Sequence, residues 1–233
     1  MLSATAQREQ DILALWDRAA GRAQRQRDDA LFAAAGAAPT DSIGTGNAAL
    51  LALRARLFGA PWRLRAACPT CHTDCEFTAD SAVLAVGLAP PADAVPRITN
   101  GGSELPLRLP TLSDLASLAA TGDSAAAANL LLARCLGEAP PAAQDILHRV
   151  EAELERCDPG AVLSFALDCP DCGHAWQALI DIAPAFWIEV QAAAERTLLE
   201  VDALAREYGW SEAEVLALPH TRRAAYLQLA GAS

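Results

Sequence analysis

Two Cys-Pro-x-Cys stretches, Cys68-Pro69-Thr70-Cys71 and Cys169-Pro170-Asp171-Cys172, constrain this chain more than any other feature. Two thiols two residues apart in a tight turn supply one edge of a tetrahedron. Two such turns supply all four corners of the sphere that zinc takes from four thiolates. The flanks suit short strands. Leu64 to Ala67 leads into the first turn and Cys75 to Thr78 leads out; Leu163 to Asp168 and Ala175 to Ile182 do the same for the second. The residue after each second cysteine has to tolerate positive φ. Gly173 suits that place, and His72 is an uncommon but allowed substitute. Between Cys71 and Cys169 lie 97 residues, against about 15–20 in simple ribbons. The pattern therefore predicts a zinc ribbon split by an inserted segment. Four cysteines leave no open coordination position, so the one expected zinc is structural and not catalytic.

Other ligands compete on paper. His72 and His174 sit beside the turns, and Cys75 follows Cys71 by four residues, but four better-spaced thiols are available. Cys75 reads as the start of the outgoing strand. Cys135 and Cys157 fall on predicted helices, where a free cysteine is by default a small buried hydrophobe. A nucleophilic pair with His148 lacks a group to orient it. Glu151 and Glu155 read as a solvated helix face. The chain has no HExxH, GxSxG or GxGxxG motif in a suitable setting, so no catalytic residue is assigned and no enzyme is expected.

Composition narrows the classes further. Net charge is −11, and all 18 basic residues are arginine. Without lysine there is no P-loop, Schiff-base or kinase-type nucleotide site. An acidic chain also lacks the electrostatic footprint of a nucleic-acid binder. The arginine clusters at Arg22, Arg25, Arg27 and at Arg54, Arg56, Arg63, Arg65 read as solvated faces. No run of apolar residues is long enough to span a membrane. Met1 to Asp17 lacks the features of a signal peptide, and knuckle-type cysteines suit a reducing cytosol.

The patterning predicts an α+β protein, mainly helical, around the split ribbon. Residues 1–60 form an N-terminal helical region, 61–80 and 161–183 the ribbon halves, 81–160 an inserted hairpin with helices, and 184–233 a C-terminal helical region. Helices are expected over Thr5 to Ala20, over Arg22 to Ala35, and from an Asn47 N-cap to Gly59. Ala89 to Pro96 reads as a linker. Asn100-Gly101-Gly102 between Val95–Thr99 and Leu105–Leu109 signals a hairpin. Thr111 with Asp114 forms a capping box for a helix to Ala120. Further helices cover Ser124 to Leu136 and start at Pro140-Pro141, the latter with Ile146, Leu147, Val150 and Leu154 inward. A long amphipathic helix runs from Trp187 to Tyr208, ended by Gly209. Ser211 and Glu214 cap a short helix, and Pro219 opens the last one. Trp210, Arg222, Arg223 and Tyr226 are candidate anchors for a partner protein, since Trp, Tyr and Arg dominate binding hot spots.

Several stretches taken together resemble a known family. They are the helix end Leu50-Leu51-Ala52-Leu53-Arg54-Ala55-Arg56-Leu57-Phe58-Gly59, the two knuckles, Leu107-Arg108-Leu109-Pro110-Thr111, and Gly173-His174-Ala175-Trp176. The most specific lies in the tail, Tyr208-Gly209-Trp210-Ser211-Glu212, Val215 to Pro219 and Arg222-Arg223-Ala224-Ala225-Tyr226-Leu227. Over about residues 45–230 the chain resembles zinc-knuckle baseplate proteins of contractile phage tails and phage-tail-like injection systems, which are similar to the T-even phage baseplate hub assembly chaperone. The resemblance implies a structural or assembly role, with other baseplate or tail proteins as partners and no small-molecule substrate. It implies residence in the bacterial cytoplasm during assembly, with retention in the particle as a second outcome. A zinc-ribbon nucleic-acid-binding or transcription accessory protein is the alternative, and the charge opposes it.

Overall fold

The computed structural model describes residues 4–91, 94–100, 102–118, 121–137 and 143–231. Among them the chain runs through α1 (Ala4–Ala19), α2 (Gln24–Ala34), α3 (Ile43–Phe58), β1 (Pro61–Ala67), β2 (Asp74–Asp80) and α4 (Ser81–Gly87). It continues through β3 (Ile98–Asn100), β4 (Ser103–Leu105), α5 (Leu112–Leu118), α6 (Ser124–Leu136) and α7 (Gln144–Cys157). After a 3-10 turn at Pro159–Ala161 come β5 (Leu163–Asp168), β6 (Ala175–Ile180), α8 (Ile182–Tyr208), α9 (Glu212–Ala217) and α10 (His220–Ala230). Helix predominates. The strands form three separate antiparallel hairpins, β1–β2, β3–β4 and β5–β6, which makes the architecture mixed α+β. No helix of the described residues is long and apolar enough to cross a membrane.

Residues 32–183 form one unit, and 1–31 with 184–233 form another. In the first, α3 carries much of the buried surface through Leu50, Leu51, Leu53 and Leu57. The helix starts earlier than its glycines suggested. Ser42, not Asn47, is the N-cap, its hydroxyl accepting from the Thr45 N–H at 3.2 Å. Asn47 instead donates through Nδ2 to the Gly160 carbonyl at 2.9 Å. Gly44 and Gly46 lie inside the helix because other chain segments close on them. A Cβ at Gly44 would stand 1.9 Å from Asp158 Oδ1, and one at Gly46 would stand 2.9 Å from a Leu112 methyl. Asp158 is buried there, with Oδ2 accepting from the Gly44 N–H at 2.9 Å. Burial pushes its carboxyl above the usual range, and the Gly44 hydrogen bond works against that. Gly44→Ala is accordingly expected to cost about 1–3 kcal/mol through overpacking, despite the better helix propensity of alanine. A denaturant midpoint no lower than that of the parent protein would refute this.

Arg54, expected on a solvated face, is buried. Its Nη1 donates to the Gly59 carbonyl at 2.5 Å and to Ser81 Oγ at 3.1 Å, and the guanidinium lies 5.7 Å from the centre of the Trp62 ring. Its position among leucines at helical spacing carried the signal that its charge obscured. The short helix α4 was not expected. Asp80 caps it by accepting from the Ala82 and Val83 N–H groups. In the segment between the cysteine hairpins, β3 and β4 are shorter than the flanking pattern suggested, and Gly101 lies outside the described residues. Ile98, Leu136, Ile146 and Val150 form a core there, with Leu105, Leu107, Leu132 and Leu154 packed against it. Pro140 and Pro141 also lie outside the described residues, as do Ala119 and Ala120. The Thr111–Asp114 capping box is present, and Asp114 additionally accepts two hydrogen bonds from Arg108 at 2.6 and 3.0 Å. The Arg108 guanidinium, followed by the Thr111 contacts and against the effect of burial, holds that carboxyl well below the usual range.

Helix α8 starts at Ile182, so β6 stops two residues before the expected end, and from Pro184 on α8 belongs to the other unit. Pro184 falls in the first turn of α8, where its missing N–H costs nothing. Phe186, Val190, Ala194 and Leu204 are buried along one face. The Ser211–Glu214 capping box is formed in both directions.

Candidate metal centre

The two Cys-Pro-x-Cys turns cap hairpins of the same construction. In the first, Ala67 pairs with Asp74 and Pro61 with Asp80; in the second, Asp168 pairs with Ala175 and Leu163 with Ile180. The Cys68 N–H donates to the Thr73 carbonyl and the His72 N–H to the Cys68 carbonyl, both at 2.9 Å. The second turn repeats these bonds, from the Cys169 N–H to His174 and from the Gly173 N–H to Cys169, at the same distance. Gly173 has φ 71°, and His72, in the matching place, φ 61°. Histidine tolerates this left-handed conformation better than a β-branched residue does, so both turns close in one geometry.

The hairpins meet through their tips. Cys68 Sγ lies 3.7 Å from Cys172 Sγ, and Cys71 Sγ lies 3.4 Å from Cys169 Sγ. The four sulphurs all lie within 4.8 Å of one another. Each of these close pairs takes one thiol from each turn, so the donor set exists only when both hairpins are in place. Thr73 Oγ1 donates to Asp171 Oδ2 at 2.7 Å from one turn to the other. Further down, the Phe77 and Phe165 rings pack with centroids 4.9 Å apart. Neither contact was read from the sequence.

Cys68 and Cys169 are buried, whereas Cys71 and Cys172 are exposed. Before any metal binds, hydrogen bonding with the Thr73 side chain, then with its backbone and with Cys169, holds Cys71 down to about 6. At Cys172 the His174 backbone pulls the thiol down. Contacts with Cys71, burial, Cys169 and Cys68 outweigh it and push the thiol up to about 12. Four sulphurs so close cannot all ionise without a cation among them, and a group of this size and chemistry could hold a metal ion.

The rival ligands fall elsewhere. Cys75 is buried against Cys68, Cys169 and Trp176 but stands outside the group of four. Burial, followed by the neighbouring Cys169, pushes its thiol up. The His174 ring stacks on Trp176 with centroids 6.2 Å apart, and His72 is exposed. Cys135 and Cys157 are buried in α6 and α7.

The docking candidates separate into two kinds. Trp210 and Tyr226 are half-buried and pack on each other and on Tyr208, with centroids 4.8 to 5.5 Å apart. Arg222 is exposed. Arg223 is not a surface group: at 3% exposure it is buried between Glu9 and Glu200. Its Nη1 donates to Glu9 Oε2 at 2.9 Å, a second bond joins Nη2 to Glu9 Oε1, and Nε lies 2.8 Å from Glu200 Oε2. Adjacent residues on a helix point about 100° apart, so Arg222 can face solvent while Arg223 turns in.

Family models, curated proteins and solved structures yield no match to this chain.

Proposed function

We propose that the four thiolates hold one structural zinc in a split zinc ribbon, and that the chain is a non-enzymatic structural or assembly protein of a contractile phage-tail-like baseplate. The observation that carries the metal assignment is the closed donor set. A tetrahedron with zinc–sulphur distances of about 2.3 Å has edges of about 3.8 Å. The sulphur pairs at 3.4 and 3.7 Å are close to that spacing. Four thiolates fill the sphere, so the ion would polarise no substrate and activate no water. Its part is to tie together two hairpins whose cysteines are separated by 97 residues of chain.

The baseplate role is supported by the sequence resemblance, above all the tail stretch from Tyr208 to Leu227. Its partners would be other baseplate or tail proteins, met in the bacterial cytoplasm. The alternative, a zinc ribbon that binds nucleic acid, is opposed by the net charge of −11, which removes the gain from counterion release. Quantitative mass spectrometry of purified tail-like particles, of their assembly intermediates and of the cytosol separates these readings. The chain is expected in intermediates together with baseplate proteins. Its presence in finished particles identifies a subunit, and its loss on completion identifies a chaperone. Recovery with nucleic acid, and with no tail protein in any fraction, would overturn the proposal.

A further inference from the structure

The β3–β4 hairpin and α7 enclose an open groove of about 720 Å³ that has no part in the metal centre. Three of the 18 arginines of this acidic chain line it: Arg97, Arg149 and Arg156. Glu153 organises them. It takes Arg156 in a two-pronged pair, Nε to Oε2 and Nη2 to Oε1, both at 2.8 Å, and accepts the Arg97 N–H at 2.9 Å. Arg156, followed by the Arg97 backbone, holds the Glu153 carboxyl down to about 2. Glu153 is thus committed as the counter-charge of Arg156. Arg149 is tethered through Nη2 to the Thr99 carbonyl at 2.8 Å, and its other donors have no partner among the described residues. The Arg97 guanidinium has no partner among the described residues. Glu104 at the edge is the one carboxylate in the groove without an ion pair.

We propose that this groove binds an acidic polypeptide segment of a partner protein, with its carboxylates held by Arg97 and Arg149. Guanidinium groups pair with carboxylates through two parallel hydrogen bonds. Here Glu153 holds the Arg97 backbone and the Thr99 carbonyl holds the Arg149 side chain, so part of the ordering is done before binding. A nucleic-acid strand fits less well. Among the described residues no aromatic ring lines the groove to stack a base. The inference names a partner class for a surface apart from the metal, and it stands or falls independently of the baseplate reading.

The test uses the full zinc-loaded chain and fluorescence anisotropy with a short labelled Asp/Glu-rich peptide. Its Asn/Gln counterpart, inorganic phosphate and ATP serve as competitors. The acidic peptide is expected to bind, to weaken with rising salt, and to be displaced by neither its neutral counterpart nor phosphate. Arg97→Ala removes no side-chain hydrogen bond or ion pair among the described residues and is expected to weaken binding about tenfold, the loss of one charge-assisted pair. Arg97→Ala with Arg149→Ala should abolish it, with metal content and melting behaviour of the Arg97 variant unchanged. Arg22→Ala, on an exposed arginine outside the groove, is expected to have no effect. Equal affinity for the neutral peptide, no binding, or unchanged binding by Arg97→Ala would each overturn the proposal. Tighter binding of phosphate or ATP, lost in the same variants, would reassign the groove to phosphate groups and also overturn it.

Discussion

Serine in place of both Cys169 and Cys172 is expected to abolish metal binding and to unfold the paired hairpins. Each of the two closest sulphur pairs joins one turn to the other, so losing one turn leaves Cys68 and Cys71 with half a coordination sphere. The contacts that still join the hairpins include the Thr73–Asp171 hydrogen bond, the Phe77–Phe165 contact and the packing of Cys75 on Trp176. A surface hydrogen bond and one aromatic pair together supply about 1–3 kcal/mol. A four-thiolate zinc contributes on the order of 10 kcal/mol in small zinc domains. A zinc held by the four thiolates would therefore outweigh these contacts. Metal analysis should find one zinc per chain in the parent protein and none in the double variant. Hydrogen exchange should become fast over residues 61–80 and 163–180. Cys135→Ser, Cys157→Ser and Cys75→Ser should keep the ion, because these thiols stand outside the group of four. Zinc retained by the double variant, or absent from freshly prepared parent protein, would refute the assignment.

Arg223→Ala is expected to destabilise the unit of residues 1–31 and 184–233 by about 1.5–3 kcal/mol, the usual worth of hydrogen bonds to charged groups. Arg223 ties Glu9 in α1 and Glu200 in α8 to α10, and the substitution would leave two half-buried carboxylates without their cation. Replacing Glu9 and Glu200 by glutamine in the same variant should recover part of the loss, because neutral amides are cheaper to leave without a cation. Arg222→Ala, on the exposed neighbour, should change stability by less than about 0.5 kcal/mol. Denaturant titration of the three variants beside the parent protein checks this. Unchanged stability of Arg223→Ala, accompanied by loss of partner proteins in a pull-down, would return Arg223 to the role of a docking anchor.

These two residues show how far one-dimensional reasoning reaches. Arg222-Arg223 is a pair of charges in the sequence, and nothing local says which of the two turns inward. The decision comes from Glu9, 214 residues away. Arg54 was misread for the same reason: charge suggests solvent, but Ser81 and the Gly59 carbonyl satisfy its donors in the interior. The N-cap of α3 moved from Asn47 to Ser42 because two glycines, which ordinarily weaken a helix, are held in it by the close approach of Asp158 and Leu112.

What the sequence determined by itself is what depends on a few adjacent residues. The form of each Cys-Pro-x-Cys turn, the need for positive φ at His72 and Gly173, the Thr111–Asp114 and Ser211–Glu214 capping boxes, and the span of α6 all follow from local hydrogen bonding and steric limits. The tertiary structure decided which thiol stands against which, which arginines are buried, and that Arg97, Arg149 and Arg156 share one groove. These are meetings of residues tens to hundreds of positions apart. They are set by the packing of whole elements, and no local pattern encodes them, because the energy of each contact depends on a partner that only the folded chain brings near.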